Sequence, residues 1–90
     1  MQELEDYRQQ IREINMEILR LLRKRLDVVK KIGILKKRKD IPIRNVEVET
    51  RQLRELTRYG NELELDSKFV EDIFKRCFTY AVKVQEKMEI

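Results

Sequence analysis

The first third of the chain carries apolar side chains that recur every three or four residues, which is the spacing of one face of an α-helix. We call this stripe the apolar seam, and it comprises Leu4, Tyr7, Ile11, Ile14, Ile18, Leu21, Val28, Ile32 and Leu35. The step between Leu21 and Val28 falls on Arg25, whose guanidinium is always charged. Because burial of an unpaired charge is costly, Arg25 either fixes the register of the seam or binds an anion.

Periodicity and end signals divide the chain into three predicted helices, at about residues 3–37, 45–59 and 66–88. Pro42 lies in the polar segment that ends the first helix, and Asn45 is a suitable cap for the second. We expect Gly60 to end the second helix in a left-handed conformation, and Asp66 to cap the third. The sequence therefore predicts one all-α domain over residues 1–90, with a very long first helix.

The length of the first predicted helix bears on assembly. Some 35 residues at 1.5 Å per residue give roughly 50 Å, whereas a compact chain of this size has a radius of gyration of about 12 Å. A single copy would leave much of the apolar seam uncovered. We therefore expect an intertwined homodimer, in which a second copy covers the seam.

Composition narrows the class of protein further. Charged residues make up 42% of the chain and hydrophobic residues 41%, with two glycines and one proline, which favours surface-charged helices over sheets or disorder. The chain has no histidine, and the lone Cys77 has no disulfide partner and no metal-ligand spacing, so we expect no metal and a reducing compartment. Without an apolar run of roughly 18 residues or a signal-peptide core, a cytoplasmic protein with no membrane partner is expected.

Polar residues interrupt the inward face of each predicted helix. Lys36 lies eleven residues, or about three turns, after Arg25 and so shares its face. Glu49 falls on the apolar stripe of the second helix, which also contains Val46, Leu53 and Leu56. Gln85 continues the apolar face of the third helix, formed by Phe69 or Val70, Ile73, Phe74, Cys77, Phe78 and Ala81. Together these four residues predict a shared polar pocket.

Each of the four also has a simpler explanation. Arg25 could form a structural ion pair with Glu49, and Glu49 could be an ordinary carboxylate of a first helical turn. Lys36 could be solvated at a helix end, and Gln85 exposed by fraying of the last turn. Only their joint placement favours a binding site.

Several ordered segments resemble the all-helical class of chorismate mutases. They are Tyr7-Arg8-Gln9-Gln10-Ile11, Leu22-Arg23-Lys24-Arg25, Ile32-Gly33-Ile34-Leu35-Lys36, Ile41-Pro42-Ile43-Arg44, Glu47-Val48-Glu49 and residues 81–85. The resemblance covers essentially the whole chain. It implies an intertwined homodimer of three-helix chains with two equivalent active sites, which agrees with the expectation from the length of the first helix.

The activity implied by the resemblance is an isomerisation without a cofactor, the Claisen rearrangement of chorismate to prephenate. This reaction belongs to the shikimate pathway and leads to phenylalanine and tyrosine. Chorismate is a dianion, and arginine binds carboxylates through a bidentate fork. Because the rearrangement is pericyclic, it needs positioning and electrostatic stabilisation but no nucleophile, base or metal.

By the same resemblance, Arg25 and Arg8 would bind the two substrate carboxylates. Seventeen positions separate them, about 25 Å along one helix, so Arg8 should come from the partner subunit. Lys36 and Gln85 would donate to the ether oxygen, while Glu49 would accept from the ring hydroxyl. That hydroxyl would also approach the backbone of Asn45.

Three positions depart from the family pattern. Asn45 stands where the family often has aspartate, Val48 where some members have arginine, and Ala81 where some have serine. Val48 and Ala81 would be secondary contacts to the substrate. The absence of arginine and serine at these two positions could lower the affinity for the substrate without preventing the chemistry.

Three other functions remain open on the sequence. An isochorismate-pyruvate lyase would have the same fold and a similar cationic pocket, although Glu49 favours the mutase. A basic helical module could bind nucleic acid through residues 20–31 and 36–39, but acidic residues are interspersed and aromatic stacking residues are lacking, so no nucleic-acid partner is expected. A structural coiled coil would leave Glu49 and Gln85 unexplained.

Overall fold

The protein, seen here as a computed structural model, is described over residues 1–88 and contains three helices and no strand in that range. They are α1 (Gln2–Arg38), α2 (Val46–Glu62) and α3 (Ser67–Glu86). The predicted all-α fold and the very long first helix are confirmed. The 37 residues of α1 correspond to about 55 Å at 1.5 Å per residue, so α1 spans nearly the full 57 Å length of the molecule.

Side-chain caps begin α2 and α3 where the sequence predicts them. The Asn45 Oδ1 atom accepts a hydrogen bond from the backbone N–H of Val48 at 3.1 Å. Asp66 does the same for the N–H of Phe69 at 2.9 Å through its Oδ2 atom. Each cap satisfies one of the free amides of a first helical turn, a contribution of about 1 kcal/mol.

The predicted role of Gly60 as a left-handed terminator is wrong. Helix α2 continues through Gly60 to Glu62, and the residue with positive φ is Glu64, at 61°. Gly60 is buried, and a Cβ atom at this position would lie 2.9 Å from Cγ2 of Val70 on α3. The glycine is therefore needed for the close approach of α3 to α2. At the other end of the chain, α3 stops at Glu86, two residues before the predicted end.

Helix α3 packs against both α1 and α2 and joins them. The buried apolar side chains are Val29 on α1 and Val70 and Phe78 on α3. The sequence left open whether Phe69 or Val70 faces inward, and the structure buries Val70 and leaves Phe69 57% exposed. This core is small for a chain of 90 residues.

The face of α1 that contacts α3 differs from the apolar seam. Val29 and Gly33 are buried against α3, and Leu26 is half-buried. Val29 lies about 100° around the helix from the seam residue Val28, which stays exposed. The entire seam is exposed, as is every residue from 1 to 24.

The chain that leaves the apolar seam exposed also has an extended shape. The radius of gyration is 16.6 Å, whereas a compact chain of this length has one of about 12 Å. None of the helices in residues 1–88 has an apolar stretch long enough to cross a membrane.

Candidate active site

A polar cleft of about 170 Å³ opens where the C-terminal half of α3 faces α1 and the start of α2. It brings together seven of the eight residues that the sequence proposes, namely Arg25, Lys36, Asn45, Val48, Glu49, Ala81 and Gln85. All three helices contribute to its wall. The joint placement on which the sequence prediction depended is therefore observed, and Arg8 is the one member that lies elsewhere.

One stripe of α1 forms a wall of the cleft. Arg25, Val29, Ile32 and Lys36 line it at spacings of four, three and four residues, which is the repeat of a single helix face. Both cations are half-buried. The Lys36 Nζ atom donates to the backbone carbonyl of Ile43, 2.6 Å away on the connection to α2. An ammonium has three N–H donors, so two remain for a ligand.

The carboxylate of Glu49 enters the cleft from the first turn of α2. Its Oε2 atom lies 3.5 Å from Nε of Arg44, whose side chain is largely exposed. Arg25 forms no ion pair with Glu49, and its side chain has no carboxylate partner among residues 1–88. The explanation of Arg25 as the structural counter-ion of Glu49 is therefore wrong, and a cation faces this cleft with its charge available.

Gln85 is the buried polar side chain of the core, only 5% exposed. Its Nε2 atom donates to the backbone carbonyl of Val29 at 2.8 Å. The carbonyl can only accept, so the amide nitrogen and not the amide oxygen must face it, and one N–H of the carboxamide remains. The alternative in which Gln85 is exposed by fraying is wrong.

Asn45 lines the cleft at the N-cap of α2. Its side chain caps α2 and its carbonyl accepts the N–H of Glu49 at 3.1 Å. Its backbone N–H donates to no acceptor within residues 1–88, so it is free to donate to a ligand. Val48 on α2 and Ala81 on α3 add small apolar surfaces to the cleft.

Comparison with protein families identifies the chain. A model described as chorismate mutase type II matches residues 7–86, the span that holds all eight predicted site residues. The chain belongs to this chorismate mutase family. Membership indicates chorismate mutase activity, and hence an isomerase. Searches of curated proteins and of solved structures find no significant match.

Arg8 of this chorismate mutase family member lies far from the cleft. It is exposed on the first part of α1, where its Nη1 atom is 2.9 Å from Oε1 of Glu5. The distance to Arg25 along a straight helix is about 25 Å. Within one chain the two arginines cannot meet at one ligand.

Several residues that line the cleft are not among those that the sequence predicts. They are Val29, Ile32, Ile43, Gln52, Phe78 and Val82. Gln52 follows Glu49 by three residues and Val48 by four, a spacing that places it on the same helix face and could have identified it. Ile43 lies outside the helices, so no periodicity could have indicated it.

An apolar hollow of about 250 Å³ adjoins the cleft between α1 and α3. Its walls include Leu22, Leu26, Cys77 and Tyr80, and Arg25 borders it as well as the cleft. Because its lining is mainly apolar, it suits packing better than binding of an anion. Within residues 1–88, no three histidine, cysteine or acidic side chains cluster as a metal site.

Proposed function

We propose that this chain is a chorismate mutase that converts chorismate to prephenate by a Claisen rearrangement, without a cofactor. The observation that carries the proposal is the meeting of Arg25, Lys36 and Gln85 in one cleft with Glu49. This arrangement offers two cations, a neutral donor and an acceptor, which is the set that a dianionic ether with a ring hydroxyl requires.

Arg25 is proposed to bind one carboxylate of chorismate. A guanidinium gives two parallel N–H donors in a planar fork, and charge-assisted pairs of this kind are roughly twice as strong as neutral hydrogen bonds. Arg25 is half-buried and without a carboxylate partner in residues 1–88, so no internal pair must break when the substrate arrives.

Lys36 and Gln85 are proposed to act on the ether oxygen, where negative charge develops as the C–O bond breaks. Both are oriented before substrate binds, Lys36 by the Ile43 carbonyl and Gln85 by the Val29 carbonyl. Donors fixed in advance need no reorganisation in the transition state, and such preorganised electrostatics is often the largest single contribution to catalysis.

The start of α2 is proposed to fix the ring of the substrate. Glu49 would accept a hydrogen bond from the ring hydroxyl, and the backbone N–H of Asn45 would approach the same oxygen. Val48 and Ala81 would be secondary contacts. Anchoring the ring at its hydroxyl and at its carboxylate holds the enolpyruvyl arm over the reacting carbon, which is a positioning effect.

We further propose that the active form is an intertwined homodimer in which Arg8 of one chain completes the cleft of the other. Two observations support this assembly, the exposed apolar seam and the radius of gyration of 16.6 Å. A second copy is the occupant that fits, because an apolar stripe repeating along a helix is complementary to itself under two-fold symmetry. Conversion of chorismate to prephenate would make the protein an enzyme of phenylalanine and tyrosine biosynthesis. We propose that it acts in the cytoplasm.

The decisive experiment incubates the purified protein with chorismate, without added metal or cofactor, and identifies the product by chromatography. We expect prephenate, at a rate that the R25A variant does not reach. A parallel incubation with isochorismate tests the lyase alternative. Release of pyruvate from isochorismate without formation of prephenate from chorismate would overturn the mutase proposal.

A further inference from the structure

The end of α3 lies against α1 at a glycine. A Cβ atom built on Gly33 would be 2.8 Å from Cγ of Gln85 and 3.0 Å from Sδ of Met88. Gly33 has no positive φ and sits inside a continuous helix, so its backbone conformation does not call for glycine. Glycine weakens a helix interior, and what it provides here is space for the side chain of Gln85.

The space above Gly33 gives Gln85 access to the backbone carbonyl of Val29. Val29 is one turn before Gly33, and its carbonyl is the acceptor that an α-helix pairs with the N–H of residue 33. A helical side chain leans over the turn that precedes it, so any side chain at position 33 would cover this carbonyl. Without one, the Nε2 atom of Gln85 reaches a second lone pair of the Val29 oxygen, at 2.8 Å.

A second contact holds the end of α3 at the same place. The Nζ atom of Lys37 donates to the backbone carbonyl of Met88, beyond the last turn of α3. Lys37 is one turn after Gly33 on α1, and its neighbour Lys36 binds the connection to α2. The C-terminal part of α1 therefore anchors both the start of α2 and the end of α3 around the cleft.

We propose that Gly33 is a positioning residue for the reaction, because it lets Gln85 dock on the Val29 carbonyl and so aims the remaining N–H of its carboxamide at the ether oxygen. This inference rests on the proposed mutase function. The docking bond engages one N–H and fixes the plane of the amide, while the other N–H stays available to the substrate. Gly33 itself contacts no reacting atom.

The direct test is G33A, with G60A as the matched control. Both variants replace a buried helical glycine and create a close contact with α3, at 2.8 Å from Gln85 Cγ and 2.9 Å from Val70 Cγ2 respectively. Gln85 is flexible and can swing aside, so G33A should fold. We expect kcat of G33A to fall on the order of 10- to 100-fold, since small misplacements have such effects, with KM nearly unchanged. G60A should keep its kcat per folded molecule.

A double variant separates positioning from general disruption. If Gly33 acts through Gln85, then Q85A and G33A/Q85A should have the same kcat, because nothing remains to be positioned. If the kcat of G33A/Q85A is lower than that of Q85A by the factor that G33A alone causes, the inference is wrong. It is also wrong if G33A has the kcat of the parent protein.

An independent measurement does not require turnover. The side-chain NH₂ signals of Gln85 in an ¹H–¹⁵N spectrum, assigned by their loss in Q85A, should move in G33A and stay in place in G60A. If the parent protein converts no chorismate, the proposed function fails, yet these signals still decide whether Gly33 permits the docking. Unchanged signals in G33A would refute it.

Discussion

The ammonium of Lys36 is hydrogen-bonded to the backbone carbonyl of Ile43, 2.6 Å away. This bond ties the C-terminal part of α1 to the connection that leads into α2, and it holds the Lys36 side chain at the wall of the cleft. An exposed lysine samples many rotamers, and ordering such a side chain costs up to about 2 kcal/mol. Here part of that cost is met in the folded chain before a ligand binds.

Lys36→Met should lower kcat strongly and change KM much less. The methionine retains the apolar stem but removes the ammonium that is proposed to stabilise charge on the ether oxygen. Loss of one preorganised donor of this kind costs on the order of 10²- to 10³-fold in kcat. Steady-state kinetics with chorismate measures the effect. Lys31→Met is the control, since Lys31 is an exposed residue of the same helix outside the cleft, and an equal loss in both variants would contradict the assignment.

Arg25→Ala should reduce kcat/KM while the protein stays folded. Removing one member of a desolvated charge pair costs about 2 to 5 kcal/mol, or roughly 30- to 5,000-fold in kcat/KM. Arg23→Ala is the matched control, because Arg23 makes an exposed ion pair with Asp27 at 2.9 Å, and such pairs contribute about 1 kcal/mol or less. Circular dichroism and kinetics on both variants check this. If R25A unfolds while R23A does not, Arg25 has a structural role.

Glu49→Ala should weaken turnover, whereas Glu47→Ala should not. Both carboxylates lie in the first turn of α2, but Glu49 is half-buried at the cleft and Glu47 is exposed. A hydrogen bond to a charged group contributes about 1.5 to 3 kcal/mol, so kcat/KM of E49A should fall roughly 10- to 150-fold. Because E47A removes the same charge from the same helix end, comparable rates in the two variants would refute a specific role for Glu49.

Local signals in the sequence predicted the elements well, because they act within a few residues of the chain. The caps at Asn45 and Asp66 depend on a side chain and an amide three positions away, and both were confirmed. The prediction for Gly60 is wrong, because a glycine near the end of a helical pattern has two explanations. Whether it ends the helix or admits a neighbouring helix depends on Val70, ten residues further along the chain.

The site was predictable to the extent that it follows helix periodicity. Lys36 and Arg25 share a stripe, as three turns of helix require. The partners that orient the donors could not be foreseen, since the Val29 and Ile43 carbonyls are main-chain atoms that every residue possesses. Likewise, the apolar pattern did not indicate that Val29 would be buried against α3 while Val28 stays exposed.

Ile14→Asp should dissociate the proposed dimer. Ile14 belongs to the apolar seam and is 54% exposed in the single chain. In the proposed dimer, a second copy would cover its side chain. Placing a carboxylate there leaves a charge without a partner in the interface. Gln9→Asp is the control, about 140° away around α1. Sedimentation should give a dimer for Q9D and a smaller species for I14D, and a parent protein that is monomeric at all concentrations would refute the assembly.

Mixing two inactive variants tests whether Arg8 acts across the interface. R8A and R25A homodimers should both be inactive, since every site lacks one carboxylate receptor. In a mixed dimer, however, the R8A chain supplies Arg25 and the R25A chain supplies Arg8, so one of its two sites is complete. Random exchange of an equimolar mixture makes half of the dimers mixed, and about one quarter of the parent activity should return. If Arg8 served the cleft of its own chain, every site in the mixture would remain defective, and exchange followed by refolding would restore nothing.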